Sequence, residues 1–533
     1  MSRPEAVDLL ISGGTLLDGS GAAGSPGTVA FIDGRLHLGD RGWRPRAGRS
    51  IDASGMVVAP GFIDLHSHGG LVILADPRHE PKVRQGVTTE VIGVDGNGYA
   101  PFRDHDDLAA FVELNAGLDG RPRIAYDWSS VASYIGRYDG GQALNIAVLI
   151  GNSALRIGAI GWEDMPANER GLASMRAMLR EGMEEGAFGV SSGLDYPPGS
   201  YASTDELAAL TAEAARAGGF YHTHVRYGLG DRFLDPFREA IEIGRLGAGP
   251  VHLTHFYHRQ THPGGPEQLI GLVDAARAGG MDVTFDSYPY EWASTRLLIQ
   301  LPQWVQAGGP GALKDRLADG RTRDRIRAEL STRGAAYTSS AGWADIRLGG
   351  FTRPDQMRWE SRTLADVMEE TGRDAVDTIC DLLLAEDLRV AQVTSGPWSE
   401  TLPHFIRHPV GMVGTDSTFL GEKPSPRTYG SFPRILGQFV RDERLLSIQE
   451  AVRKMTSAPA ARLGLADRGL LRDGYAADVV VFDPARVRAN ATYDEPRQYP
   501  DGIEYVAVNG QLVVDGGAHT GALPGRALRS GTR

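Results

Sequence analysis

The sequence is poor in the features that several classes of protein require. Cys380 is the only cysteine among 533 residues, which excludes a disulfide framework and any cysteine-rich zinc or iron–sulfur site. Lys and Arg total 55 against 67 Asp and Glu, so the formal charge is −12 and a basic nucleic-acid-binding face is not expected. No run of about 18 apolar residues occurs, and the first residues lack a signal-peptide pattern. These absences predict a cytoplasmic protein that binds neither membrane nor nucleic acid.

The composition that remains is that of a large globular protein. Hydrophobic residues make up 41 % and charged residues 23 % of the chain. The chain is longer than most domains that fold around a single hydrophobic core. Both ends consist of short apolar runs separated by turn residues, whereas the middle alternates β-rich and helical stretches. We therefore predict a small β domain from residues 1–55 plus 466–533 and a larger domain over residues 56–465.

Eight β-rich segments punctuate the middle of the chain, and they predict a (β/α)8 barrel. They begin at Met56, Gly86, Asn145, Gly186, Gly219, Gly249, Met281 and Pro409. The long gap between the seventh and the eighth predicts a mainly helical insertion, or lid, over residues 291–408. The alternative fold is an open doubly wound sheet, in which the polar residues described next would be scattered.

Polar side chains end several of these predicted strands. They are His66, His68, His224, His255 and Asp416. A lone strand histidine is more often a hydrogen-bonded core residue. Several at the same end of one barrel instead indicate a nitrogen and oxygen site for a divalent metal, with zinc the best match. His222 and His252 come earlier in the same two strands, deeper in the predicted barrel, and are predicted to be structural.

Longer motifs give the sequence a specific resemblance. APGFIDLHSH, GVTTEVIG, GAFGVSSGLDYPPGSYASTDEL, THVR, LTHF, DSYPY and RTYGSFPR occur in order along nearly the whole chain. The sequence resembles the amidohydrolase superfamily and, within it, the D-aminoacylase or N-acyl-D-amino-acid deacylase family. The resemblance implies an α/β fold: a TIM barrel, a small β-sandwich domain formed by both termini, and an insertion after strand seven. It also implies that His66, His68, His224 and His255 contact the metal and that Asp416 is the catalytic acid and base.

One departure from that family concerns the metal itself. D-aminoacylases bind zinc with a cysteine after the second strand, and the matching position here is Asp95. As an oxygen donor Asp95 can ligate one zinc ion or bridge two, and strand four offers Ser191 and Ser192 but no bridging lysine. The other interpretation of Asp95 is a turn residue before Gly96. Cys380 lies on an apolar helical face and is predicted to pack in a core.

Two further departures concern the substrate. The family's lysine after the last metal histidine is Tyr257 here, and its histidine before Pro-Arg-Thr-Tyr-Gly is Ser425. Arginines are candidates for holding a substrate carboxylate, and tyrosines are candidates for lining the pocket, although each has a structural alternative. The predicted substrate-binding residues are Arg226, Tyr257, Tyr196, Tyr288, Tyr290, Arg427 and Ser425, with Arg434 as a further arginine.

The leading functional prediction is a zinc-dependent hydrolase of a small linear amide such as an N-acyl-D-amino acid. Water activated by the metal attacks the carbonyl, and Asp416 transfers its proton to the leaving nitrogen. The alternatives are a cyclic amide or imide hydrolase, a deaminase, an amide-forming biosynthetic enzyme and a non-catalytic barrel. The sequence leaves open the stereochemistry, the acyl group, the number of metal ions, the direction of reaction and the oligomeric state.

Overall fold

The computed structural model describes residues 4–227, 232–333 and 340–531. Residues 1–3, 532 and 533 of the predicted β domain and residues 334–339 of the predicted insertion lie outside the described residues. The strands are Ala6–Ser12 (β1), Thr15–Leu16 (β2), Ser25–Pro26 (β3), Thr28–Ile32 (β4), Arg35–Gly39 (β5), Arg46–Asp52 (β6), Val57–Pro60 (β7), Phe62–Asp64 (β8), Val87–Ile92 (β9), Asn145–Val148 (β10), Ile150–Gly151 (β11), Gly189–Gly193 (β12), Phe220–His224 (β13), Val251–Leu253 (β14), Val283–Ser287 (β15), Trp292–Arg296 (β16), Arg347–Gly349 (β17), Ala391–Ser395 (β18), Gly411–Val413 (β19), Val479–Phe482 (β20), Ile503–Val508 (β21), Gln511–Asp515 (β22) and Ala518–His519 (β23).

The α-helices are Gly70–Ala75 (α1), Glu80–Val83 (α2), His105–Leu114 (α3), Val131–Ile135 (α4), Asn152–Ile160 (α5), Glu169–Glu184 (α6), Thr204–Arg216 (α7), Asp235–Gly247 (α8), Pro266–Ala278 (α9), Gly309–Ala318 (α10), Gly320–Arg333 (α11), Leu364–Thr371 (α12), Ala375–Ala385 (α13), Leu402–Arg407 (α14), Arg427–Arg434 (α15), Ile448–Met455 (α16) and Ser457–Leu463 (α17). Among the helices of the described ranges, none combines the length and the apolar character needed to cross a membrane.

The central strands close into a parallel barrel, as predicted. β8, β9 and β10 pair in parallel, and Leu149 separates β10 from β11. From β11 the parallel order continues through β12, β13, β14, β15 and β19. A parallel bridge between Ser67 and Ser417 joins the end of the last strand to the end of the first. Closure brings the carboxyl ends of all these strands to one face, which is where active sites of this fold lie.

Helix α7 illustrates how the sequence builds the outer layer of the barrel. The Ser203 side chain caps it by accepting a hydrogen bond from the Glu206 backbone N–H, a contact that stabilises a helix by about 1 kcal/mol. Leu207, Leu210 and Ala214 recur at helical spacing and are fully or almost fully buried, so one apolar stripe of the helix packs on the barrel.

The chain's two ends build a separate pair of sheets. One sheet has the order β5-β4-β1-β6, and the other has the order β23-β22-β21-β20-β7-β2-β3. Residues such as Ile11, Phe31 and Val481 form a shared core. Val57–Pro60 pairs with β20 and extends the terminal sheet, although the sequence suggested one continuous barrel strand from Met56. The chain passes into the barrel at Gly61, where a Cβ would overlap the Thr88 side chain.

The segment between the seventh and eighth barrel strands contains helices α10 to α14 and an antiparallel sheet of order β16-β18-β17. It has its own apolar cluster, which includes Leu313, Ile379 and Cys380. Cys380 is fully buried in α13, and burial raises the pKa of its thiol to about 11. Cys380 therefore packs in the apolar core of the insertion, as predicted.

Candidate metal centre

Six predicted residues meet at the carboxyl end of the barrel. His66 and His68 follow β8, Asp95 follows β9, His224 ends β13, His255 follows β14 and Asp416 follows β19. Each is at most 6 % exposed. The structure therefore brings together, in one buried cluster, the residues that the strand-end pattern and the resemblance pointed to.

A single oxygen of Asp95 lies at the middle of the four imidazoles. Asp95 Oδ2 is 3.2 Å from His66 Nε2 and 3.6 Å from His68 Nε2. The same oxygen is 3.6 Å from His224 Nδ1 and 3.6 Å from His255 Nε2. A turn-forming aspartate would have no reason to point into such a group, so the geometry favours the ligand interpretation of Asp95.

Asp416 approaches the cluster from β19, the strand that lies beside the segment carrying His66 and His68. Its Oδ1 is 3.4 Å from His66 Nε2 and 3.3 Å from His68 Nε2. Ligand atoms about 2.1 Å from one tetrahedral ion lie about 3.4 Å from each other. The observed separations match that spacing, and the donors form two groups that share Asp95: His66, His68, Asp95 and Asp416 on one side, and Asp95, His224 and His255 on the other.

Each histidine is held from behind by another polar group. Asp286 Oδ2 lies 3.3 Å from His66 Nδ1, and Asp119 Oδ1 lies 2.8 Å from His68 Nδ1. Asp195 Oδ2 lies 2.9 Å from His224 Nε2. The hydroxyl oxygen of Tyr227 lies 3.2 Å from His255 Nδ1. A carboxylate that accepts the proton of one ring nitrogen leaves the lone pair of the other nitrogen facing the cluster, as in metal sites generally.

The carboxylates make this end of the barrel strongly attractive to cations. Burial disfavours charged imidazoles, yet Asp95 and Asp286 raise the pKa of His66 well above its usual range. Asp195 and Asp95 likewise outweigh burial and raise the pKa of His224 to about 9. A site that favours protonated imidazoles this strongly also favours a metal cation in the same place. The donor set and its electrostatics thus fit a divalent metal.

Three cluster residues have left-handed backbone conformations, which are unusual for residues other than glycine. The φ angles are 52° at Asp95, 32° at His255 and 46° at Asp416. Such conformations cost about 1–3 kcal/mol each and persist where the surrounding structure enforces them. Here they turn the chain sharply just after β9, β14 and β19, so that the side chains point into the barrel mouth.

A small cavity opens beside the cluster, and three of the predicted substrate-binding residues line it. These are Tyr196, Tyr257 and Tyr288. Arg427 is fully buried behind the cavity wall, with Nη1 2.9 Å from Asp416 Oδ2. Its guanidinium also lies 4.4 Å from the centre of the Tyr288 ring. Although burial opposes it, Arg427 and then His66 hold the pKa of Asp416 at about 2.

Three other predicted substrate residues, and the further candidate Arg434, do not line this cavity. Arg226 forms an ion pair with Glu239 of α8 and donates to the Ser200 carbonyl oxygen at 2.6 Å. Ser425 is buried and donates to the Trp292 carbonyl oxygen. Tyr290 lies in a different cleft, and Arg434, which lines that cleft too, pairs with Glu291. The predicted placement of Arg226 on the same face as His224 does not hold, because the period-two alternation ends with β13 at His224.

Several important residues escaped the sequence interpretation. Asp286 also contacts His252 Nε2 at 3.0 Å and the His255 backbone nitrogen at 2.9 Å. Asp286 is the last residue but one of β15, inside the DSYPY motif, so the strand-end rule used for the histidines could have found it. Asp119 follows α3, and Arg259 and Tyr227 lie in loops, where no periodic signal marks them.

A sequence profile of the amidohydrolase family matches residues 49–514. The chain belongs to the amidohydrolase family. This amidohydrolase is 33 % identical to N-acyl-D-aspartate deacylase of Alcaligenes xylosoxydans xylosoxydans, over 99 % of this chain and 96 % of that protein. It is also 33 % identical to D-aminoacylase of the same organism, over 99 % of this chain and 98 % of the relative.

A solved structure confirms the fold across the full length. The N-acyl-D-glutamate deacylase of Bordetella bronchiseptica, crystallised with zinc and a phosphonate mimic of the tetrahedral intermediate, superposes with a TM-score of 0.81. The two chains are 31 % identical, and the match covers 99 % of this amidohydrolase and 100 % of that chain. The resemblance drawn from the motifs is therefore confirmed.

Proposed function

We propose that this amidohydrolase deacylates N-acyl-D-amino acids. The observation that carries the proposal is the position of one Asp95 oxygen within 3.6 Å of a ring nitrogen of four histidines, beside a carboxylate on the last strand. Full-length relatives named as deacylases of N-acyl-D-aspartate and of N-acyl-D-glutamate support the reaction and the substrate class.

The residues that would hold zinc are His66, His68, Asp95, His224 and His255. Bound zinc supplies a Lewis acid that acidifies water and polarises an amide carbonyl. Asp95 belongs to both groups of donors, so its carboxylate would help to hold metal in either group. Asp286, Asp119 and Asp195 keep the imidazoles oriented, because each accepts the proton on the ring nitrogen remote from Asp95.

Asp416 is the group that moves the proton. Its low pKa keeps it ionised near neutral pH, so it accepts a proton from the attacking water. The protonated carboxyl is then a strong acid, which donates that proton to the departing nitrogen. Arg427 positions Asp416 through its 2.9 Å ion pair, so a single carboxylate serves both steps without swinging away.

The substrate is a small amide held among aromatic side chains. Tyr196, Tyr257 and Tyr288 contact it in our proposal, since they line the cavity at the cluster. We also assign Arg427, which lies behind Tyr288 and outside the cavity lining, as the cation that attracts the substrate carboxylate. The cytoplasmic location predicted from the sequence is part of the same proposal.

The direct test is a substrate screen of the zinc-loaded protein. Matched N-acyl-D- and N-acyl-L-amino acids, dipeptides and cyclic imides are incubated, and released amine is quantified by chromatography. We expect release of free D-amino acid, and none from protein treated with a chelator. Release from the cyclic imides alone, or from no amide, would contradict the proposal.

A further inference from the structure

The cavity beside the metal cluster is too small to hold a substrate as it stands. Its volume is about 30 Å³, far below the roughly 300–1,000 Å³ of typical small-molecule sites. An N-acyl-amino acid contains many more atoms than this space can take. A part of the cavity wall must therefore move when a substrate enters.

A second pocket, here called the outer pocket, adjoins this cavity. It has a volume of about 150 Å³. Its apolar lining residues are Trp292, Pro397 and Trp398, and its polar ones include Gln260, Glu291 and Ser399. Gln260 and Ser399 are exposed at its rim, so the outer pocket faces solvent.

The same two strands of the insertion line both spaces. On β16, Trp292 lines the outer pocket, whereas Ala293, Ser294 and Thr295 line the inner cavity. On β18, Thr394 lines the inner cavity and Ser395 the outer pocket. Trp292 pairs with Ser395, and Ala293 pairs with Thr394, so successive cross-strand pairs of this sheet line the two spaces.

Arg259 is the described residue that lines both spaces. It is 8 % exposed, and its Nη2 donates a hydrogen bond to the Tyr257 hydroxyl at 2.9 Å. Its guanidinium also lies 5.4 Å from the Tyr257 ring centre and 5.7 Å from that of Tyr227. A long side chain with several rotatable bonds can leave such contacts without backbone movement.

The backbone beside Arg259 is tied to the insertion. The Trp398 backbone N–H donates to the His258 carbonyl oxygen at 2.9 Å, which ties the loop before Arg259 to the insertion. This contact holds the backbone walls of the outer pocket together, and the Arg259 side chain lies between the two spaces.

We propose that the outer pocket and the inner cavity form one substrate channel, that Arg259 is its gate, and that the outer pocket binds the uncharged apolar end of the substrate. This inference rests on the proposed function. The apolar end can belong to the acyl group or to the amino-acid side chain, since both are attached close to the scissile bond. Two indole rings and a proline favour an apolar group there, and Glu291 at the same wall disfavours a second carboxylate.

The test measures binding without turnover, in a zinc-loaded Asp416→Asn background. The ligands are N-acetyl-D-alanine, N-octanoyl-D-alanine, which has a long acyl chain, and N-acetyl-D-tryptophan, which has a large side chain. Affinity is measured by calorimetry and association by stopped-flow fluorescence. The added variants are Trp398→Ala, Trp398→Phe and Arg259→Ala, with Arg325→Ala as the control, because Arg325 stacks on Trp304 in the insertion and lines neither space.

We expect Trp398→Ala to weaken binding of one long ligand about tenfold, as loss of a large apolar contact should, and to leave N-acetyl-D-alanine within about twofold. Loss with the octanoyl ligand assigns the outer pocket to the acyl group, and loss with the tryptophan ligand assigns it to the side chain. Trp398→Phe should retain most of the affinity. Arg259→Ala should raise the association rate of that ligand about fivefold, because the competent state no longer needs the gate to open.

Unchanged binding of both long ligands in Trp398→Ala, or an unchanged association rate in Arg259→Ala, would overturn the channel. Arg325→Ala should match the background protein in every measurement. Turnover of the same compounds by the wild-type enzyme tests the proposed function separately, because the binding measurements need no reaction.

Discussion

The metal cluster and the insertion wall face the same cavity, yet they are built on opposite principles. In the cluster each histidine has a dedicated polar partner behind it, such as Asp119 at 2.8 Å from His68. The insertion wall presents hydroxyls and small side chains from β16 and β18, with Thr295 bonded to Tyr196 across the cavity. In our proposal, charge networks at the strand ends position the reacting groups, and the packing of a separate segment selects the substrate.

The largest effect on turnover is expected at Asp416. Asp416→Asn keeps the shape of the side chain but cannot accept a proton, so turnover should fall by about 10²–10⁴-fold. Metal content, measured by elemental analysis, should remain near that of the wild type. The matched control is Asp274→Asn, since Asp274 is a surface carboxylate paired with His408. Retained activity in Asp416→Asn would remove Asp416 from its assigned role.

Asp95 tests whether the centre depends on one shared oxygen. Asp95→Ala removes the atom that lies within 3.6 Å of four histidines, so zinc occupancy after dialysis should drop markedly. Elemental analysis measures the zinc content of Asp95→Ala, with Asp274→Asn as the control variant. Full occupancy in the alanine variant would return Asp95 to its interpretation as a turn residue.

A substitution at Asp286 tests the polar groups that lie behind the histidines, and its expected effect is smaller. Asp286→Asn retains the size of the side chain but weakens its hold on His66 and His252. Loss of such a partner typically lowers metal affinity by about 10–100-fold, and competition with a chromophoric chelator measures this. A thermal melt monitored by circular dichroism checks folding. A folded variant with wild-type affinity would show that the network is only structural.

The smallest effect is expected at the insertion wall. Thr295→Val removes the hydroxyl that contacts Tyr196 at 2.9 Å, a loss of about 1 kcal/mol in a typical case. The specificity constant for an N-acyl-D-amino acid should change by about fivefold, with zinc affinity unaltered. An equal loss of zinc affinity would mean that the two regions are not separate in function.

The same division explains what could be predicted from the sequence. His66, His224, His255 and Asp416 were identified because parallel strands must end at one face of a barrel. Asp95 was identified because its position matches a family motif. Arg226 was misplaced because the strand alternation stops at His224, and Tyr290 because β15 stops at Ser287.

Arg259 and Thr295 carry no such signal. Arg259 follows β14 by several residues in a loop, and Thr295 reaches the cavity only because the insertion folds back over the barrel. Their positions depend on tertiary packing, which neither hydrophobic periodicity nor motif spacing reports. The metal centre could therefore be predicted from the sequence, whereas the insertion wall of the cavity could not.

The central claim is a metal centre built from nitrogen and oxygen alone, and X-ray absorption spectroscopy of the zinc-loaded protein tests it most directly. Zinc bound by histidine and aspartate should give a first shell at about 2.0–2.1 Å with no sulfur scatterer, because Cys380 is buried in the insertion core. A zinc–sulfur shell near 2.3 Å would contradict the account.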